Sequence, residues 1–133
     1  MALSNGSGGY QVGDGNLGSP LFFPQDAPTA LTAGATATAA QLAAGLFTFN
    51  GTAGNLVLPT VALWEAAYPS TDKVNSAFDF YVINIDASGS DSITVAVGTG
   101  WTLVGAGAVT VGTSGHFRAR KTGDGAWTVY RVS

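Results

Sequence analysis

The chain has no cysteine, which excludes a disulfide framework and any thiolate metal site. Histidine occurs once, at His116, so an imidazole-centred metal site would have to take every other ligand from carboxylates. Glutamate also occurs once, at Glu65, and the aspartates fall mostly in turn-like stretches where a carboxylate bonds its own backbone. The stretch Asp86 to Asp91, DASGSD, lacks the glycine at position six and the glutamate at position twelve of a calcium loop. No GxSxG elbow presents a serine nucleophile. With no acid, base and nucleophile brought together, the chain is expected to be no enzyme and to hold neither a metal nor a cofactor.

Charge is also scarce. Charged residues are 10% of the chain, against about 25% in ordinary soluble domains, while mean hydropathy is +0.26. Two readings stand side by side. Ser, Thr, Asn and Gly cover the outside, or much of the surface is covered by copies of the chain or by a larger assembly, since interface cores are depleted in charge. A net charge of −3 gives no broad attraction to nucleic acid or to anionic lipid, so neither is expected as a partner. No apolar window approaches the roughly 18 residues of a membrane span. The opening MALSNGSGGYQV has neither the basic stretch nor the apolar run of a secretory signal, so synthesis in a cytoplasm is expected.

At 133 residues the chain fits one core. Residues 1–24 read as an extended Gly/Ser-rich arm, and residues 25–133 as the β-rich domain. Within the arm, GDGNLG at Gly13 to Gly18 has dinucleotide-binding spacing. It is followed by Ser19-Pro20 and no helical pattern, so no helix N-terminus would face a phosphate. Tyr10, Val12 and Leu17 are among the arm's few sizeable apolar groups. Leu21-Phe22-Phe23 either packs on the domain or anchors the arm on a neighbour.

The domain is expected to be mainly β: a single antiparallel sandwich or barrel with two short helices. Its centre is Ser76 to Gly98, where Phe78, Phe80 and Val82 fall on one side of a strand and Tyr81, Ile83 and Ile85 on the other. That pattern predicts a strand covered on both faces, joined through Ala87 to Asp91 as a hairpin to Ile93, Val95 and Val97. Before it, Thr29 to Leu31 reads as a short strand and Thr36 to Ala44 as an Ala-rich helix ending at Gly45. Leu46 to Asn50 and Leu56 to Leu58 read as strands joined by a hairpin loop over residues 50–55. Thr60 caps a helix that places Val61, Trp64 and Tyr68 on one face and stops at Pro69. Further strands are expected at 101–104, 108–111, 116–122 and 126–132. Gly123-Asp124-Gly125 turns the last pair with a glycine bulge.

That last hairpin places Phe117, Ala119, Trp127 and Val129 on one face, and Arg118, Arg120, Thr128 and Tyr130 on the other. Arg118, Arg120 and Lys121, with Arg131 on the facing strand and His116 beside them, form the one basic cluster. It reads either as a solvated face or as a surface recognising an acidic protein partner. The candidate partner-binding residues are therefore Tyr10, Val12, Leu17, Phe22, Phe23, Arg118, Arg120 and Arg131.

From Thr29 to Ser133 the chain resembles a small β-rich domain of capsid decoration, or cement, proteins and head fibres of tailed bacteriophages. The resemblance is carried by AQLAAGLFTFNGTAGNLVLPT, FDFYVINID, the Gly-spaced GTGWTLVG and the closing FRARKTGDGAWTVYRV. It implies a homotrimer seated on the outer capsid surface of the virion, bound to the major capsid protein and adding contacts between capsomers. The arm lies outside the resemblance; on physical grounds it is expected to pair with a neighbouring chain by β-addition, while a low-charge flank of the domain forms the symmetric interface. The alternative is a fibre or carbohydrate-recognition module at the host surface, with an exposed Trp64, Trp101 or Trp127 stacking on sugar rings.

Overall fold

The computed structural model describes residues 24–87 and 89–133. Tyr10, Val12, Leu17, Phe22 and Phe23, with the rest of the expected arm before Pro24, lie outside the described residues. In chain order the elements are β1 (Thr29–Leu31), β2 (Ala35–Thr36), α1 (Ala39–Ala44), β3 (Leu46–Phe49), β4 (Gly54–Val57) and α2 (Val61–Ala67). After a 3-10 turn (Pro69–Thr71) come β5 (Ala77–Asn84), β6 (Ile93–Ala96), β7 (Trp101–Val104), β8 (Ala108–Val109), β9 (Ser114–Gly123) and β10 (Ala126–Arg131).

The domain is mainly β, with two sheets and two short helices. The larger sheet has the order β1-β3-β5-β9-β10-β7 and the smaller β2-β4-β6-β8. Up to β9 the chain alternates between them, so its first half is three stacked turns, each giving one strand to each sheet. Leu31, Phe49 and Asn84 stand in register across β1, β3 and β5, and Leu56 and Val95 do so across β4 and β6.

Two expectations are corrected here. Five of the eight pairings are parallel, so the sheets are mixed rather than antiparallel. The two hairpins expected at residues 50–55 and 87–91 do not form, because β3 and β4, and likewise β5 and β6, belong to different sheets. The physical reason lies in the first of these loops. Thr52 N–H donates to Thr32 O at 3.0 Å, which lays the loop on the turn before it. A Cβ at Gly51 would sit 1.9 Å from Thr32 O, and one at Gly54 2.6 Å from Gly34 N. Those glycines serve the close approach of stacked turns rather than a tight reversal.

The Gly45 stop, the Thr60 cap and the last hairpin are borne out, whereas the first helix starts at Ala39 and not at Thr36, which lies in β2. Thr38 and Gln41 form a reciprocal capping box on α1, and Gly45 ends it in the left-handed conformation. Thr60 accepts from Leu63 N–H to start α2. The β9–β10 hairpin forms, with its register shift at Ala126/Trp127.

One buried cluster joins both sheets and both helices. Phe47, Phe49, Phe80, Phe117 and Trp127 come from the larger sheet, Leu56, Ile93, Val95 and Val109 from the smaller, and Leu42, Val61 and Trp64 from the helices. Phe80 stacks on Phe117 at 5.2 Å, and Trp64 on Phe78 at 4.3 Å. Asn84, buried at the end of β5, donates to Asp91 O and Val109 O and so ties one sheet to the other. No helix among the described residues is long and apolar enough to cross a membrane.

Candidate interaction surface

Strand parity sends one set of side chains into this core and the other to the far face of the larger sheet. The registers arrange the outward set in rows: Thr102, Thr128, Arg120 and Ala77; Val104, Tyr130, Arg118 and Asp79; His116, Tyr81 and Leu46; Ser114, Ile83, Thr48 and Ala30. Among the described residues nothing packs over them: Tyr81 is 43% exposed, Val104 49%, and Ile85, just beyond β5, 53%. Among the described residues the coverage expected on both faces of β5 is present on one face only. An apolar row of Leu46, Tyr81, Ile83 and Ile85 is left in an open face.

The charges on this face are tethered. Asp79 accepts Arg118 Nε at 2.7 Å and Nη2 at 2.9 Å, and it meets His116 Nε2 at 2.9 Å. The Arg118 hydrogen bonds chiefly, opposed by partial burial and aided by His116, hold the Asp79 carboxyl at about 2. Asp79 in turn raises the Arg118 guanidinium above its ordinary value. Tyr81 stacks on His116 at 4.5 Å. Arg120 donates to Tyr130 Oη at 2.8 Å and to Asn75 Oδ1 at 2.8 Å. The result is an open face of aromatic, aliphatic and pre-oriented guanidinium groups, a composition favoured in interface cores.

The expected basic cluster is split by the sheet. Arg118, Arg120 and His116 stand on the open face, whereas Lys121 and Arg131 turn to the other side. Lys121 is 2% exposed; its Nζ is bound by Glu65 Oε2 and by Asp72 Oδ1, and Glu65 Oε2 also accepts Trp127 Nε1 at 3.0 Å. The hydrogen bond that Lys121 donates to Glu65 is the main cause that raises its amine, against its burial. Arg131 lies 5.1 Å over the Phe117 ring and donates to Ala106 O and Ala108 O, bracing the larger sheet against the β8 region. Both residues are structural ties, and neither joins Arg118 and Arg120.

Asp79 and Tyr81 are surface residues that the basic cluster alone did not suggest. Their signal is parity: in FDFYVI they fall on the side opposite Phe78, Phe80 and Val82.

The three tryptophans are buried, and Trp101 Nε1 donates to Pro59 O at 2.6 Å. Among the described residues no three His, Asp or Glu side chains are grouped to hold a metal ion. A groove of about 650 Å³ runs beside both helices, lined by Leu58, Pro59, Leu63, Ala67 and threonines, without an ionisable side chain.

Comparisons with protein-family models, with curated proteins and with solved structures found no match.

Proposed function

We propose that this chain is a structural virion subunit that binds the outer surface of a phage capsid as a trimer and reinforces contacts between capsomers. The observation that supports adhesion is the open face of the larger sheet. An apolar row around Tyr81 and Ile85 lies beside arginines whose directions are already set by Asp79, Tyr130 and Asn75. A partner meeting this face gains apolar burial at little cost in arginine ordering. The tie to a capsid comes from the resemblance of residues 29–133 to decoration proteins. A trimer engaging several capsid subunits at once gains avidity even where each contact is weak.

Incubating the full chain with capsids lacking it, followed by sedimentation, tests the reading. The native chain pellets with the shells, whereas the Tyr81→Ser/Ile85→Ser double variant stays in the supernatant. Equal pelleting of both rejects this face as the attachment surface, and failure of the native chain to pellet rejects the function. The alternative, a glycan-binding module built on an exposed tryptophan, finds all three indoles buried.

A further inference from the structure

The strands at the margins of the sheets are unusual in what they lack. Among the described residues β1, β2, β7 and β8 each pair on one side only, and their sequences, TAL, AT, WTLV and AV, contain no charged residue. Every charged residue located in a strand lies instead on β5, β9 or β10, in the interior of the larger sheet. The margins therefore lack the charge that often blocks pairing with a second chain, although β1, β2 and β8 are short and Pro28 precedes β1.

Among the described residues both margins of the larger sheet also carry outward-facing backbone groups. Leu31 O accepts Asn50 N–H, so the backbone groups of Leu31 face β3 and, by alternation, those of Ala30 face outward. Trp127 N–H donates to Gly100 O, which by the same alternation turns the backbone groups of Leu103 away from β10. The directions of the two edges agree. β1, β3 and β5 run parallel, β9 reverses, β10 reverses again, and β7 runs parallel to β10, so β1 and β7 point the same way. Their sizes are complementary as well: β1 offers Thr29 and Ala30, and β7 offers Leu103 and Val104. Pairing β1 with another β1 would instead set small residues against small ones.

We infer that β1 of one copy pairs with β7 of the next, as a parallel extension of the larger sheet. The contact is heterologous, so successive copies form a closed ring or an open chain. It gives the trimer of the proposed function its interface and rests on that reading only for the number of copies.

The cysteine-free chain makes the test direct. Ala30 and Thr102 are both exposed on the open face, and within one copy they sit on opposite margins of a six-stranded sheet, about 24 Å apart at the usual strand spacing. Full-length Ala30→Cys and Thr102→Cys chains are prepared separately and treated with a short bis-maleimide, alone and mixed. The mixture is expected to give a covalent dimer, and neither variant alone is expected to do so. Cross-linking of Ala30→Cys to itself would overturn the inference in favour of like edges meeting, and so would an uncross-linked mixture. A mixture that cross-links while the native chain ignores capsids would sink the proposed function and leave the edge contact standing. Capsid binding by a chain that never cross-links would do the reverse.

Discussion

Arg118 grips Asp79 across the β5–β9 pair with two near-parallel bonds, Nε to Oδ1 at 2.7 Å and Nη2 to Oδ2 at 2.9 Å. The carboxyl is thereby lowered from 3.8 to about 2. A lowered carboxyl stabilises the fold above its unfolded value and loses that contribution as pH falls through its folded one. Asp79→Asn is therefore expected to cost about 1–2 kcal/mol at pH 7, allowing for solvent screening. The gap from the native chain should close between about pH 4 and pH 2. Urea denaturation of both chains across that range measures it.

Glu65 carries more of the Lys121 site than Asp72 does. Its carboxylate serves both the Lys121 amine and the Trp127 indole, and its side chain is 21% exposed against 67% for Asp72. Glu65→Ala leaves a buried ammonium with one exposed partner and strands an indole N–H, so its melting temperature should fall further than that of Asp72→Ala. Thermal unfolding followed by circular dichroism ranks the two.

Gly51 and Gly123 separate a required glycine from a tolerated one. A Cβ at Gly51 meets the Thr32 carbonyl, whereas one at Gly123 has open space around it. Gly51→Ala should destabilise by about 1–3 kcal/mol or more as the stacked turns are pushed apart. Gly123→Ala should change stability by less than about 0.5 kcal/mol. Equilibrium unfolding checks both.

Tyr81 and Ile85 should divide binding from folding. Both are exposed and outside the buried cluster, so Ile85→Ser is expected to shift stability by no more than about 0.5 kcal/mol, and Tyr81→Ser, which also gives up the stack on His116, by no more than about 1 kcal/mol. The same changes are expected to weaken capsid binding. A loss of binding accompanied by unfolding would leave the face with a structural role alone.

Much of this architecture was legible one element at a time. The Thr60 cap, the Gly45 stop, the β9–β10 turn and its two faces follow from local chemistry that acts within a few residues, whereas the Thr38 cap was missed and the first helix begins later than expected, Thr36 lying in β2. Strand partners were not legible, because alternation reports which face a side chain takes and not which strand lies beside it. A Gly-rich loop such as residues 50–55 looks the same whether it reverses the chain or crosses to another sheet. At Lys121 and Arg131 the signal was present in the sequence: parity with Phe117 and Ala119, and with Trp127 and Val129, places both on the core side. Grouping them by nearness along the chain concealed it.

The claim that the open sheet face meets a partner is tested most directly by alkylation of a single introduced cysteine. Ile85→Cys places the thiol on that face, and Leu63→Cys places one on the groove beside the helices, where Leu63 is 61% exposed. On capsid-bound chains the account predicts that the thiol at position 85 reacts many times more slowly than on free chains, while the one at position 63 keeps its rate. Equal rates at position 85 on bound and free chains would contradict it.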